Sequence, residues 1–127
     1  MSDMKTSVVI VEDEKMLADM YSTKFSMEGF EAQKANDGQA GFELVKQVKP
    51  QVVLLDIIMP KLDGFAVLKM IKSDPELQAI PVILLTNLGQ DEDIKKGKEL
   101  GAADYFVKAN HTPAEVVQKV KQVLHLS

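Results

Sequence analysis

The chain has 127 residues, 46% of them hydrophobic, so it can bury one hydrophobic core and is too short for two. It contains no cysteine, which excludes disulfides and thiolate metal sites, and no apolar stretch approaches the roughly 18 residues of a membrane span. The net charge of −4 argues against non-specific binding of nucleic acid, and Met1 to Thr6 lack a signal-peptide pattern, so we expect a cytoplasmic protein.

Strands and helices alternate in the first half of the chain. A helix from about Lys15 carries apolar residues at helical spacing as far as Glu28, and Gly29 is the stop that ends it. The residue before a proline disfavours the helical region, so Pro50 sets the end of the second helix. The sequence thus predicts a strand, a helix, an edge strand and a second helix, over 7–11, about 15–28, 30–34, and from near Asn36 or Asp37 to Pro50.

The second half continues the alternation. The strands at 52–55 and 82–85 are apolar on both faces, so helices should cover both sides of the sheet. Thr112, Pro113 and Glu115 form a capping box with proline at the first helical position. We predict strands at 52–55, 82–85 and 105–107, and helices at about 64–72, about 91–100 before Gly101, and from Thr112 to about Leu124.

Residues suited to phosphoryl chemistry follow four of the predicted strands. Ligands of open parallel sheets bind outside the carboxyl ends of the strands, so these side chains should meet in one crevice. Carboxylates brought close together repel one another unless a cation separates them. The grouping therefore indicates a divalent metal and an anionic substrate, at Glu12 and Asp13, Asp56, Thr86 and Lys108.

Four segments resemble the receiver domains of bacterial two-component response regulators, including chemotaxis receivers. They are V-I-V-E-D-E, V-V-L-L-D-I-I-M-P-K-L-D-G, P-V-I-L-L-T-N and G-A-A-D-Y-F-V-K, and the similarity extends from about Thr6 to Leu124. The resemblance implies an α/β fold, a single flavodoxin-like (βα)5 domain with a doubly wound five-stranded parallel sheet in the order 2-1-3-4-5. We expect residues 1–127 to form one receiver domain, with its core at about 6–124 and no output domain. Whether this is a single-domain regulator or the receiver of a longer protein stays open.

The resemblance also assigns roles to individual residues. Asp56 corresponds to the phosphoacceptor, which a histidine kinase, a phosphotransfer protein or a small phosphodonor would phosphorylate. Asp13 corresponds to a direct ligand of Mg²⁺ and Glu12 to one that acts mostly through water, with the backbone carbonyl of Ile58 as a further ligand. Lys108 and Thr86 would contact the phosphoryl oxygens.

The expected output of this family is a change of surface. Tyr105 corresponds to the switch aromatic, which turns inward when the Thr86 hydroxyl moves toward the phosphoryl group; the alternative is an ordinary half-buried strand tyrosine. The resemblance implies that the fourth helix, last strand and last helix bind an unknown downstream protein and allow a phosphorylation-dependent dimer. No membrane and no direct nucleic-acid partner is expected. Residues 95–127 carry six lysines and three acidic residues, which is either a mildly basic binding surface or ordinary scatter on a solvated face.

Other residues of the motifs have structural interpretations. We expect Asp63 to cap the third helix, Gly64 to relieve backbone crowding, and Met59 to pack in the core. Glu14 should simply complement a helix N-terminus. Both histidines, His111 and His125, are expected at the surface.

Two positions depart from the family pattern. Ala109 stands where proline with a cis bond is usual, and we hypothesise a trans bond because a non-proline cis bond costs roughly 3 kcal/mol. Asn87 replaces a small residue after Thr86, and with Ile58 and Leu88 nearby it should limit the access of water. We therefore expect slow autodephosphorylation.

Three other classes of protein remain as alternatives. An aspartate-nucleophile phosphohydrolase resembles this layout but usually has a second aspartate two residues after the first, where this chain has Ile58. The chain could also be a binding module that keeps the fold and is never phosphorylated. A flavin-binding protein is a weaker alternative, because no serine- or threonine-rich phosphate loop follows the first strand.

Overall fold

The fold is a five-stranded parallel sheet with helices on both faces. The computed structural model describes residues 5–87, 91–108 and 111–126. The strand order is β2-β1-β3-β4-β5, so the order and the flavodoxin-like fold class that the resemblance implied are confirmed. In chain order, the elements are β1 Ser7–Val11, α1 Lys15–Met27, β2 Glu31–Ala35, α2 Gly38–Val48, β3 Val52–Asp56, α3 Gly64–Ser73, β4 Val82–Thr86, α4 Asp91–Glu99, β5 Asp104–Val107 and α5 Pro113–Val123.

The pleat of the strands divides the hydrophobic core into two layers. Successive side chains of a strand point to opposite faces, and β1, β3 and β4 are apolar at nearly every position. One layer lies between the sheet and helices α1 and α5; from the three strands it receives Val8, Ile10, Val52, Leu54, Ile83 and Leu85. The other layer lies against α2 and α3; it receives Val9, Val11, Val53, Leu55, Val82 and Leu84. The prediction that helices cover both faces is confirmed.

The helix ends follow local capping chemistry. Asp37 and Asp63 each accept a hydrogen bond from the backbone amide three residues later, at 2.7 Å for Ala40 and 2.9 Å for Ala66. The predicted cap of the third helix is therefore confirmed. Gly29 follows α1 with a φ of 90°, a left-handed conformation that glycine adopts without strain.

One histidine is less exposed than the expectation implied. His111 is half-buried: its Nδ1 lies 3.0 Å from the carbonyl oxygen of Val107, and its ring centroid lies 5.5 Å from that of Phe106. The His111 amide also donates to the Lys108 carbonyl at 3.2 Å, which holds the residue at the end of β5. His125 is exposed, as expected.

Two predictions concern residues that the structure does not describe. The Lys108–Ala109 bond and Leu88 lie outside the described residues, so the trans-bond hypothesis and the contribution of Leu88 stay predictions.

Among the described residues, no helix is both long and apolar enough to cross a membrane.

The capping box of α5 generates a test of local stability. Thr112 Oγ1 accepts from the Glu115 amide at 3.2 Å, and the Glu115 carboxylate accepts from the Thr112 amide at 2.9 Å. Thr112→Ala removes the first bond, so we expect the free energy of unfolding in urea to fall by about 1 kcal/mol. Thr112→Ser keeps the hydroxyl and should remain near wild type. Equal stability of Thr112→Ala and wild type would contradict this account of the helix start.

Candidate functional site

The pleat that divides the core also divides the polar residues at the carboxyl end of the sheet. Alternate residues of a strand face the same side of the sheet and form a row. Glu12 comes two residues after Ile10, and Asp56 comes two residues after Leu54, so both side chains continue rows that face α1 and α5. Thr86 follows Leu84 and continues a row of the opposite layer. At this edge of the sheet, Glu12 and Asp56 therefore lie on one face and Thr86 lies on the other.

A lysine ammonium lies between two buried carboxylates. Lys108 follows β5, and its Nζ contacts Glu12 Oε1 and lies 3.1 Å from Asp56 Oδ2. The residues Glu12 and Asp56 are 2% and 5% exposed, and the Lys108 side chain is 10% exposed, so solvent screens this ion cluster only weakly. We use "ion cluster" below for Glu12, Asp56 and Lys108.

The backbone around Glu12 is fixed on several sides. The Glu12 amide donates to the Ala35 carbonyl at 3.0 Å, and Glu12 Oε2 accepts from the Glu14 amide at 3.1 Å. Asn36 Nδ2 donates to the Glu12 carbonyl at 3.3 Å. These bonds tie the end of β1 to the end of β2. Consequently, the two carboxylate oxygens of Glu12 have different partners, Lys108 for one and the Glu14 amide for the other.

Burial and charge shift the pKa values of the ion cluster. Burial raises the pKa of Glu12 to about 7, although its hydrogen bond with Lys108 opposes the shift. Burial also raises the pKa of Asp56, against the opposing charge of Lys108. For Lys108, burial alone would lower the pKa, but the hydrogen bond to Glu12 and the charge of Asp56 outweigh it and raise the pKa. The ammonium therefore stays charged and is the counter-ion of both carboxylates.

Three carboxylates converge closely enough to share a cation. Glu12, Asp13 and Asp56 each offer an oxygen within 4.8 Å of those of the other two. Glu12 and Asp56 are buried and Asp13 is exposed, so the group opens to solvent on the Asp13 side. Mg²⁺ prefers oxygen ligands and keeps several bound water molecules, so a group of carboxylates that is open to solvent on one side suits this ion. Ile58 lies two residues after Asp56 with a side chain that is exposed, whereas Met59 is buried, as expected.

Gly64 allows α3 to start directly against the site. A Cβ at this position would lie 2.2 Å from the carbonyl oxygen of Asp56, so any side chain would displace the backbone. The predicted relief of crowding is confirmed.

Thr86 and Tyr105 lie on the α3 and α4 side of the sheet edge. Thr86 is fully buried and pairs in register with Val107, the residue before Lys108. Tyr105 is half-buried, and burial together with the charge of Asp93 raises its pKa to about 12. The phenol therefore stays neutral and lies near Gly97 of α4. The switch role of Tyr105 stays a prediction.

Two features of the site were missed by the sequence analysis. The contact between Lys108 and Glu12 joins residues 96 positions apart, and no local pattern marks it. Tyr21 was assigned only to the apolar face of the first helix, yet burial raises the pKa of its phenol, and the charges of Lys108, Glu12 and Asp56 also affect that pKa. The one signal for Tyr21 in the sequence was its hydroxyl, a polar group at an inward-facing position of the helix that begins beside the site.

The raised pKa of Glu12 predicts a pH dependence of the metal-free protein. Its folded pKa of about 7 lies above the ordinary 4.5, so its contribution to stability is complete below about pH 4.5 and is lost as the pH rises through about 7. In EDTA, the free energy of unfolding of wild type should therefore fall relative to that of Glu12→Gln between about pH 5 and about pH 8. Urea unfolding at both pH values measures this. A constant difference between the two proteins would show that Glu12 does not titrate in this range.

Comparison with known proteins identifies the family. The model of the response regulator receiver domain matches residues 8–121. The probable transcriptional regulator ycf27 of Guillardia theta is 42% identical over 120 residues, which cover 94% of this chain and 46% of that protein, so the chain spans about half the length of the curated relatives it matches.

Two solved structures illustrate the similarity. In fold alone, chemotaxis protein CheY4 of Vibrio cholerae is similar, with a TM-score of 0.89 at 24% identity over 94% of this chain and 99% of that chain. The BeF3-activated N-terminal receiver domain of Klebsiella pneumoniae RstA has a TM-score of 0.84 at 26% identity, over 93% of this chain and 97% of that chain. The chain belongs to the receiver domains of two-component response regulators, a family of signalling modules.

Proposed function

We propose that Asp56 is the phosphoacceptor of this receiver domain. The donor is the phosphohistidine of a sensor histidine kinase or a phosphotransfer protein, or a small acyl phosphate. The observation that carries the proposal is the buried Asp56 carboxylate at the end of β3, with the Lys108 ammonium 3.1 Å away and two further carboxylates beside it. A buried carboxylate next to a fixed cation can act as a nucleophile toward a phosphoryl group and remain shielded from bulk water.

The transfer needs positioning more than proton chemistry. One Asp56 oxygen forms a bond to phosphorus while the bond from phosphorus to the donor nitrogen breaks, and the released imidazole takes a proton from water. Burial raises the pKa of Asp56, and the charge of Lys108 opposes that rise. The ionised carboxylate is itself the nucleophile, so the step includes no general base. Lys108 and the Thr86 hydroxyl then contact the phosphoryl oxygens.

The acidic residues suit a magnesium ion. Asp13, Asp56 and the backbone carbonyl of Ile58 would hold Mg²⁺, with Glu12 acting through water; the oxygen donors within 4.8 Å of one another support this. When bound, the ion neutralises negative charge on the carboxylates and on the incoming phosphoryl oxygens. Asp13 is the exposed member of the group, which makes it the accessible ligand.

The output is a shift between two surface states. In this proposal the Thr86 hydroxyl moves toward the phosphoryl group, Tyr105 turns inward, and the surface of α4, β5 and α5 changes its affinity for a downstream protein or for a second copy of the domain. Phosphate shifts the population because it interacts differently with the two states. The domain would act in the cytoplasm, where acyl phosphates and ATP-dependent kinases are available.

Two of the alternatives differ from this proposal at identifiable points. A phosphohydrolase of the aspartate-nucleophile class would need a proton-transferring residue where this chain has Ile58, whose side chain is apolar and exposed. A binding module that is never phosphorylated could keep the buried ion cluster to join the strand ends, so only a phosphorylation experiment separates it from our proposal.

Covalent labelling tests the phosphoacceptor. Wild type incubated with acetyl phosphate and Mg²⁺ should gain the mass of one phosphoryl group, and Asp56→Asn should gain none. Asp63→Asn is the matched control, because Asp63 is an exposed helix cap and asparagine keeps the cap. Intact-protein mass spectrometry measures all three. Labelling of Asp56→Asn at the wild-type level would contradict the assignment.

The lifetime of the phosphorylated form is a second test. Asn87 directly follows Thr86, and Ile58 comes two residues after Asp56. We propose that they limit the approach of water to the acyl phosphate, so the half-life in magnesium buffer should be minutes or longer. Ile58→Ser leaves the backbone carbonyl in place but admits water, so it should shorten the half-life. Release of inorganic phosphate from the labelled proteins measures both, and a wild-type half-life of seconds would contradict this proposal.

A further inference from the structure

His111 is a half-buried residue after β5 that the proposed transfer does not use. Its ring lies beside that of Phe106, which is 4% exposed and packs in the layer against α1 and α5. Two groups of His111 contact the end of β5: its ring Nδ1 lies 3.0 Å from the Val107 carbonyl oxygen, and its amide donates to the Lys108 carbonyl at 3.2 Å. One residue therefore contacts the carbonyls of two consecutive residues, and the second of these is the lysine of the ion cluster.

The ring contact fixes which nitrogen of His111 carries a proton. A carbonyl oxygen only accepts hydrogen bonds, so Nδ1 must be the donor to Val107. The neutral imidazole then has its proton on Nδ1, and the imidazolium has one there as well, so this hydrogen bond is available in both forms. The ring is therefore a donor to the end of the strand as well as an aromatic neighbour of Phe106.

The backbone of Lys108 requires such support because the pairing of the sheet stops before it. β5 is the last strand in the order of the sheet, and its register with β4 ends at the pair Thr86 and Val107. Ala109 follows Lys108 in the sequence, so no proline ring restricts the backbone at that position. The lysine ammonium is carried on a flexible four-carbon stem, so a shift of the backbone at Lys108 would displace it.

We propose that His111 is a positioning residue of the receiver site: its Nδ1–H and its amide hold the end of β5 so that the Lys108 ammonium reaches the phosphoryl group on Asp56. His111 does not touch the reacting atoms and acts through the backbone of Val107 and Lys108. This inference rests on the proposed function, in which Lys108 contacts the phosphoryl oxygens, and it adds the residue that orients Lys108.

Two substitutions separate the donor from the ring. His111→Phe keeps a ring beside Phe106 and removes the Nδ1 donor, whereas His111→Asn keeps an N–H donor at a similar reach and removes the ring. In saturating Mg²⁺, the affinity for beryllofluoride, a stable mimic of the phosphoryl group, should fall about fivefold in His111→Phe, as for the loss of one hydrogen bond. It should stay near the wild-type value in His111→Asn. Calorimetric titration measures both.

His125→Asn is the control at the other histidine. His125 is exposed, and asparagine tolerates its φ of 59°, so this variant should bind beryllofluoride as wild type does. Mg²⁺ alone should bind wild type and all three variants alike, because the carboxylates that would hold the ion follow or end β1 and β3. A parallel loss of Mg²⁺ and beryllofluoride affinity in His111→Phe would show a general disturbance of the site and contradict the inference.

The order of the two variants decides between positioning and packing. If His111→Phe binds beryllofluoride as wild type does, or if His111→Asn is weakened as much as or more than His111→Phe, His111 only packs against Phe106 and the inference is wrong. If wild type itself binds no beryllofluoride and takes no phosphoryl group from acetyl phosphate, the proposed function fails and the inference fails with it.

A second measurement tests the hydrogen bond in the unsubstituted protein. The chain has two histidines, so nuclear magnetic resonance of isotope-labelled wild type gives two sets of ring signals, and His125→Asn assigns them. Correlations between the ring carbon-bound protons and the ring nitrogens show which nitrogen is protonated. At about pH 8, where an ordinary histidine is neutral, the proton of His111 should lie on Nδ1. A proton on Nε2 would overturn the inference.

Discussion

The structure depends on one ammonium group held between two buried carboxylates at the carboxyl end of the sheet. Lys108 contacts Glu12 and Asp56, which follow or end strands β1 and β3, and Lys108 itself follows β5 at the sheet edge. Without the lysine, two neighbouring carboxylates with little solvent access would repel each other, and removing one partner of a buried ion pair is strongly destabilising. The ion cluster therefore joins three strand ends and keeps in place the residue that we propose is phosphorylated.

The pleat of the sheet gives this site two sides with different tasks. Glu12, Asp56 and Lys108 lie toward α1 and α5, whereas Thr86 and Tyr105 continue rows of the opposite layer. Thr86 pairs with Val107 across the last two strands, directly before Lys108. In our proposal, chemistry occurs at the junction of the two sides, and the change of surface occurs on the side of Thr86.

Much of this arrangement could be predicted from the sequence, and the rest could not for physical reasons. Apolar runs, caps such as Thr112 and stops such as Gly29 are local signals, so the elements were placed to within a few residues; the strand order followed from the resemblance. The strand ends also predicted that the carboxylates of Glu12, Asp13 and Asp56 and the Lys108 ammonium lie together. The pairing of Lys108 with Glu12, the burial of Glu12 and the half-buried position of His111 depend on how side chains from distant strands share space, which no local pattern encodes. Tyr21 was missed because an inward tyrosine at helical spacing is indistinguishable from core packing in the sequence.

The central claim is that the carboxylates at this sheet edge form a cation site that prepares Asp56 for phosphoryl transfer. Calorimetric titration of Mg²⁺ into wild type, Asp13→Ala and Glu14→Ala tests it most directly, because Asp13 belongs to the converging carboxylates and its exposed neighbour Glu14 does not. The account predicts that wild type and Glu14→Ala bind Mg²⁺ alike and that Asp13→Ala loses affinity by roughly tenfold or more. Absence of Mg²⁺ binding by the folded wild type, or equal affinity in all three proteins, would contradict it.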